Sequence, residues 1–269
     1  MGTGPQKYPG ASLTHWYQDT YPGSVMDTNT VLWHSTEGRT LPSYGGGASA
    51  PNLTALPDFG ARRLRWFQHF DVDRSARALV NEDGGVQTNT LNVCQVEIVG
   101  TCDPATSAKW GGSGLYTPNL PDWAVRDLAE FAKWMHEHHG VPLTSDVTFK
   151  PYPASYGSSN GVRMSQAKWN GYAGHCGHQH APENLHGDPG ALPMRAILDR
   201  AKGAIVTEPV PGLNTEPVKP NAYREVLETD AIPAPRNHPD YATHKFWTGE
   251  SYLRFIAEKL IDLEKRSGS

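Results

Sequence analysis

The stretch "NVCQVEIVG" at 92–100 constrains the fold more than any other part of the chain. It is rich in β-branched residues and bounded by an asparagine and a glycine, which predicts a strand. With side chains alternating, Cys94, Val96 and Ile98 share one face and Gln95, Glu97 and Val99 the other. The first face is wholly apolar and must be buried. Glu97 then stands on a second face that a loop or a ligand can cover. "PDWAVRDLAEFAKWMHEHHG" (121–140) has the period of a helix, with Pro121 at its start, Gly140 at its end and Ala124, Leu128, Phe131 and Met135 on one stripe. Further strands are expected in "NTVLWHSTEG" (29–38) and "RLRWFQHFDV" (63–72), and a short helix in "LPMRAILDRAKG" (192–203). Strands alternating with helices indicate an α/β domain that ends near residue 203.

The rest of the chain reads differently. Residues 1–28 are rich in Gly, Pro, Tyr and Thr without a period, as expected of an irregular arm laid over residues 29–203. From 204 to 240 prolines recur in "TEPVPGLNTEPVKP" and "AIPAPRNHP", the composition of an extended linker. Residues 241–269 end in "TGESYLRFIAEKLIDLEKR", where Tyr252, Phe255, Ile256, Leu260 and Leu263 form an amphipathic helical face. One helix cannot bury that face alone, so it is expected to dock on the domain or pair between copies as a homo-oligomer.

Composition narrows the function classes. A net charge of −4 with no block of lysines and arginines argues against nucleic acid as a partner. No apolar run approaches the roughly 20 residues that span a bilayer. The N-terminus lacks a basic region followed by an apolar core, so no secretory signal is expected. Cys94, Cys102 and Cys176 are odd in number and widely spaced, which fits buried thiols better than a disulfide framework.

Chemistry concentrates in "GHCGHQHAPENLHGDPGAL" (174–192), which holds His175, His178, His180, His186, Glu183, Asp188 and Cys176. A catalytic zinc needs three converging protein ligands and an open position for water. Asp188 in the D-P-G turn before a helix is a firmly held carboxylate. An imidazole would come from the preceding "NGYAGHCGHQH", with "APENLHG" arching over the metal. The third ligand must lie elsewhere, and His34 at a strand end is best placed. "MHEHHG" (135–140) resembles the helical H-E-x-x-H zinc motif but has the wrong spacing, and is expected to be a solvated helix end.

Taken in order and at their separations, "VLWHSTEG", "QVEIVG" and "GHQHAPENLHGDPGAL" resemble the type-2 N-acetylmuramoyl-L-alanine amidases. This is the zinc amidase fold shared with peptidoglycan recognition proteins, and the likeness is greatest to endolysins of phages that infect actinobacteria. It covers roughly residues 29–200. The resemblance implies a single mixed β-sheet flanked by helices. It also implies Zn2+ held by His34, His178 and Asp188, the last two separated by the family's ten positions. Glu97 is then the general base, and His186, where many relatives carry lysine, a donor to the scissile carbonyl. His175, Cys176, His180 and Glu183 are left as supporting or surface residues.

The implied function is hydrolysis of the amide between N-acetylmuramic acid and L-alanine in bacterial peptidoglycan, by an enzyme held in the host bacterial cytoplasm before release to the wall. Two other functions share these residues: a non-catalytic peptidoglycan-binding module and a zinc peptidase acting on the stem peptide. The polar, glycine-rich loops "SYGGGASAPN" (43–52) and "NEDGGVQTNT" (81–90) suit a long hydrogen-bonding substrate, with Tyr44 and Asn89 as expected contacts. Trp33, Trp66, Trp110 and Tyr116 are each either a further stacking surface for sugar rings or part of the core.

Overall fold

The computed structural model describes residues 4–203 and, separately, a short strand pair at 232–233 and 246–247. The chain divides into two units, Met1–Val206 and Thr207–Ser269. In chain order the first unit contains β1 (Thr30–Ser35), β2 (Leu53–Asp58), β3 (Arg63–Gln68), β4 (Val93–Ile98), β5 (Gly100–Thr101), α1 (Pro104–Trp110), β6 (Leu115–Tyr116), α2 (Asp122–His139), α3 (Gln166–Asn170), β7 (Gly174–Gly177) and α4 (Met194–Ala201).

Five strands form one mixed sheet in the order β3-β2-β4-β1-β7. β1 runs parallel to both β4 and β7, β2 parallel to β4, and β3 antiparallel to β2. β1 lies inside the sheet and every one of its residues is buried, which is why "TVLWHS" reads as a continuous run rather than an alternation. The period-two reading of β4 holds: Cys94, Val96 and Ile98 join Val31, Trp33, Leu53 and Ala55 in the main core. α2 packs there with its stripe of Ala124, Leu128, Phe131 and Met135, and Ile197 and Leu198 of α4 join it. The helix stops where Gly140 adopts φ 70° and its N–H closes on the carbonyls of His136 and Met135. On the other face a smaller core gathers Leu32, Val93, Cys176, Met164 and Trp169, the last from α3. The molecule is thus α/β with a mixed central sheet flanked by helices.

Three local expectations change. Residues 53–58 form a strand that was not expected, and Pro57 argues against β structure there. Pro57 is tolerated because β4 pairs only with Leu53, Thr54 and Ala55, so no neighbour on that side needs its missing N–H. The strand expected over 63–72 stops at Gln68, after which the backbone amides of His69 and Phe70 turn to the carbonyl of Asn52. α1 and α3 form without having been expected. Asp103 caps the first, accepting from Ala105 N, and Ser165 the second, accepting from Lys168 N.

The arm does cover the sheet edge. Ser12 exchanges backbone hydrogen bonds with Trp66 and Gln68 of β3 at 2.8 and 2.9 Å. Tyr8 sets its ring edge-on against Trp66, Phe131 and Trp134, at 5.1 to 5.2 Å between centroids. An edge strand covered in this way is protected from pairing with another chain.

His139 departs from the expected solvated helix end. Its Nε2 donates to the carbonyl of Pro5 at 3.0 Å, and its Nδ1 lies 3.5 Å from a carboxylate oxygen of Asp73, with the imidazole almost wholly buried. The three cysteines are free and buried, as expected. Among the described residues no helix is long and apolar enough to cross a membrane. In the second unit Ile232–Pro233 pairs antiparallel with Phe246–Trp247, inside stretches read as linker and tail. The amphipathic helix expected near 248–266 lies outside the described residues.

Candidate metal centre

The parallel register of the sheet sets three side chains in a row. Thr54 of β2 pairs with Glu97 of β4, and Glu97 pairs with His34 of β1. These residues share the second sheet face, near the C-terminal ends of the parallel strands, where open α/β sheets place their ligands. β7 ends at Gly177, which must be glycine: a Cβ there would lie 2.8 Å from the Phe149 ring and 2.9 Å from Pro189. The chain then tightens into a 3-10 turn, His178–His180, which swings His178 toward His34.

Three ligand atoms converge. His34 Nδ1 and His178 Nδ1 are 3.0 Å apart, His178 Nδ1 lies 3.1 Å from Asp188 Oδ1, and His34 Nδ1 lies 3.5 Å from Asp188 Oδ2. All three residues are buried, and together they can hold a metal ion. Ligands bound tetrahedrally at zinc distances of about 2.0–2.1 Å stand roughly 3.3 Å from one another, close to the spacing found.

Protonation supports the same reading. His178 Nε2 donates to Asn184 Oδ1 at 3.0 Å, a bond that in a neutral ring leaves Nδ1 as the acceptor on the His34 side. Burial, and then His178, lower the His34 pKa to about 4, so His34 is neutral. Burial opposes the charge of Asp188, but His178 and His34 outweigh it and hold the carboxyl well below the usual range. Ser35 N–H fixes Asp188 Oδ2 at 3.0 Å. Two imidazoles and a carboxylate aimed at one point are the donor set of a divalent cation.

Glu97 sits beside this group. Its Oε2 is buried and has no hydrogen-bond partner among the described residues. Burial, then the charges of Asp188 and Glu37, push its pKa well above the usual carboxylate value. Glu37 itself accepts from Ser35 Oγ at 2.7 Å, Thr101 Oγ1 at 2.5 Å and Cys102 N at 3.1 Å, which anchors it at the end of the sheet. His186 is at the mouth: its exposed ring stacks on His178 at 5.2 Å, and its Nδ1 lies 3.8 Å from Asp188 Oδ1.

The structure therefore brings His34, Glu97, His178, His186 and Asp188 together from distant parts of the chain. Tyr44 is buried, with its hydroxyl 2.7 Å from Thr54 Oγ1 at the end of the same row. Asn89 is bound into the scaffold: its Oδ1 accepts from Leu79 N and Gln95 Nε2, and its Nδ2 donates to Leu79 O. A substrate contact through that amide would have to displace these bonds. Trp33 and Trp66 belong to the core and are not stacking surfaces.

The crowded neighbours resolve as well. His175 accepts from Trp33 Nε1 at 3.2 Å, and His180 accepts from Gly177 N and donates to Thr148 O, so both are buried supports. Glu183 receives the amides of Glu82 and Val86. Sequence reasoning missed Asn184 and Arg163. The Arg163 guanidinium donates to the carbonyls of Gly157, His178, Ala181 and His186, clamping the loop that carries the site. No spacing rule marks such residues, because their partners are backbone atoms and loops remote in sequence.

No protein-family model matches the chain, and neither the curated proteins nor the solved structures contain a match to it.

Proposed function

We propose that the chain is a zinc-dependent N-acetylmuramoyl-L-alanine amidase that degrades bacterial peptidoglycan, as an endolysin does. The supporting observation is a buried His34, His178 and Asp188 group with an unpartnered, buried carboxylate oxygen of Glu97 beside it. A binding module would have no use for that carboxylate, whose desolvation is costly without a reaction to serve. A zinc ion held by the three residues would supply Lewis acidity, polarising the substrate carbonyl and acidifying a water. Glu97 takes a proton from the attacking water and delivers it to the L-alanine nitrogen as the amide bond breaks. His186, free at the mouth, donates a hydrogen bond to the carbonyl oxygen as charge builds there. Arg163 and Asn184 hold the loop so that these groups stay aligned.

Incubation of the zinc-loaded chain with purified actinobacterial peptidoglycan tests the proposal. New L-alanine amino groups with intact sugar chains are expected, and Glu97→Gln should abolish their release while zinc stays bound. New ends within the stem peptide would identify a peptidase instead, and no release of any product would leave a binding module.

A further inference from the structure

We propose that Tyr156 is a further catalytic residue of this centre, its phenol hydroxyl donating a hydrogen bond to the carbonyl oxygen of the bound substrate; this rests on the amidase reading. The ring is built into the metal-bearing turn. A Cβ on Gly187, between His186 and Asp188, would fall 2.3 Å from Tyr156 Cδ2 and 2.5 Å from its backbone nitrogen, so the missing side chain makes room for the tyrosine. The ring lies 6.2 Å from that of His186 and meets Tyr152 edge-to-face at 5.4 Å. Tyr152 is itself exposed, and an aromatic row therefore runs from solvent through Tyr156 and His186 to the ligand His178.

Packing fixes the ring and leaves its hydroxyl without a good partner. The hydroxyl's one contact among the described residues is the Cys102 thiol at 4.0 Å, a weak acceptor. Cys102 abuts the same turn, since a Cβ on Gly190 would lie 2.6 Å from its Cβ, and its backbone N–H binds Glu37. The phenol hydroxyl thus lies beside Cys102, near enough to Asp188 and Glu37 for their charges to act on it. A phenol is protonated at neutral pH and can therefore donate. A rigid, protonated donor facing a polarised carbonyl costs no reorganisation when charge develops.

Tyr156→Phe keeps the ring and removes only the hydroxyl. In the zinc-loaded full chain, kcat on peptidoglycan should fall about 10- to 100-fold with the thermal midpoint and zinc content unchanged. Activity within about twofold of the unsubstituted chain overturns the proposal. An independent arm uses the Co2+-loaded chain and acetohydroxamate, whose carbonyl stands in for that of the substrate, followed by cobalt absorption. Tyr156→Phe should weaken acetohydroxamate about tenfold, and equal affinity in both proteins sinks the proposed donor. Should the unsubstituted chain release nothing from peptidoglycan while this difference persists, the amidase reading fails and Tyr156 stands as a ligand donor. A chain that binds neither zinc nor cobalt removes both.

Discussion

Two imidazole nitrogens 3.0 Å apart, with carboxylate oxygens of Asp188 at 3.1 and 3.5 Å, make a tight cluster of three ligand atoms. At the residue scale this is what makes His34 and His178 more than buried histidines, and Asn184 is what enforces it. By accepting from His178 Nε2 it selects the tautomer whose Nδ1 faces the site. Asn184→Ala should weaken zinc binding by about 10- to 100-fold, measured by competition with a chromophoric chelator. Unchanged affinity would mean the tautomer is set by something else. Asp188 and His34 were legible from their places, a carboxylate in a D-P-G turn and a histidine at a strand end, whereas His178 as a ligand and Glu97 as a base came only from the amidase resemblance. Asn184 was not, because an amide in a polar loop carries no signal until its partner is known.

The elements were legible to the extent that each has its own periodicity. α2 and β4 announce themselves through patterns of 3.6 and 2, and the buried β1 through its short Val31–Trp33 apolar run. β2 was hidden by Pro57, and the truncation of β3 by aromatics that continue past the last paired residue. The arm depends on a joint that no pattern reveals: Asp73 receives Gln6 Nε2 at 2.6 Å and Thr28 N at 3.3 Å and faces His139. Burial opposes ionisation of Asp73, but His139, Gln6 and Thr28 outweigh it and lower its pKa to about 2. A depressed carboxyl pKa stabilises the fold fully above the unfolded value and is lost as pH falls through the folded one. Asp73→Asn should therefore cost about 1–2 kcal/mol at pH 7, a loss that shrinks as pH drops from about 4 toward 2. Urea unfolding across that range measures it, and a pH-independent difference would show that charge at Asp73 is not the cause.

For the whole molecule, the notable quantity is the number of histidines buried in the neutral state. Burial leads the causes that lower His34, His69 and His180 to about 4 and His175 to about 3. Each binds a proton more readily unfolded, so stability is complete above about pH 6.5 and declines as pH falls toward these values. At pH 5 the loss is about 2 kcal/mol for each, and four such losses rival the roughly 5–15 kcal/mol that holds a domain folded. Glu97, with its raised pKa, acts in the opposite direction but is a single group. The metal-free chain should accordingly unfold between about pH 6 and 4, followed by circular dichroism. A native spectrum at pH 3 would contradict the burial of these imidazoles.

What the sequence determined by itself was the existence of the sheet, the helix that covers it and the chemical inventory of the site. Those follow from local periodicity and from residue types that are costly to bury without a purpose. Tertiary structure alone decided which of the crowded histidines face the metal position. The 3-10 turn after Gly177 ends the strand alternation and aims His178 at His34, while parallel register delivers Glu97 from a strand some sixty residues away along the chain. Orientation of this kind depends on pairing between distant segments, and no stretch of sequence read alone contains it.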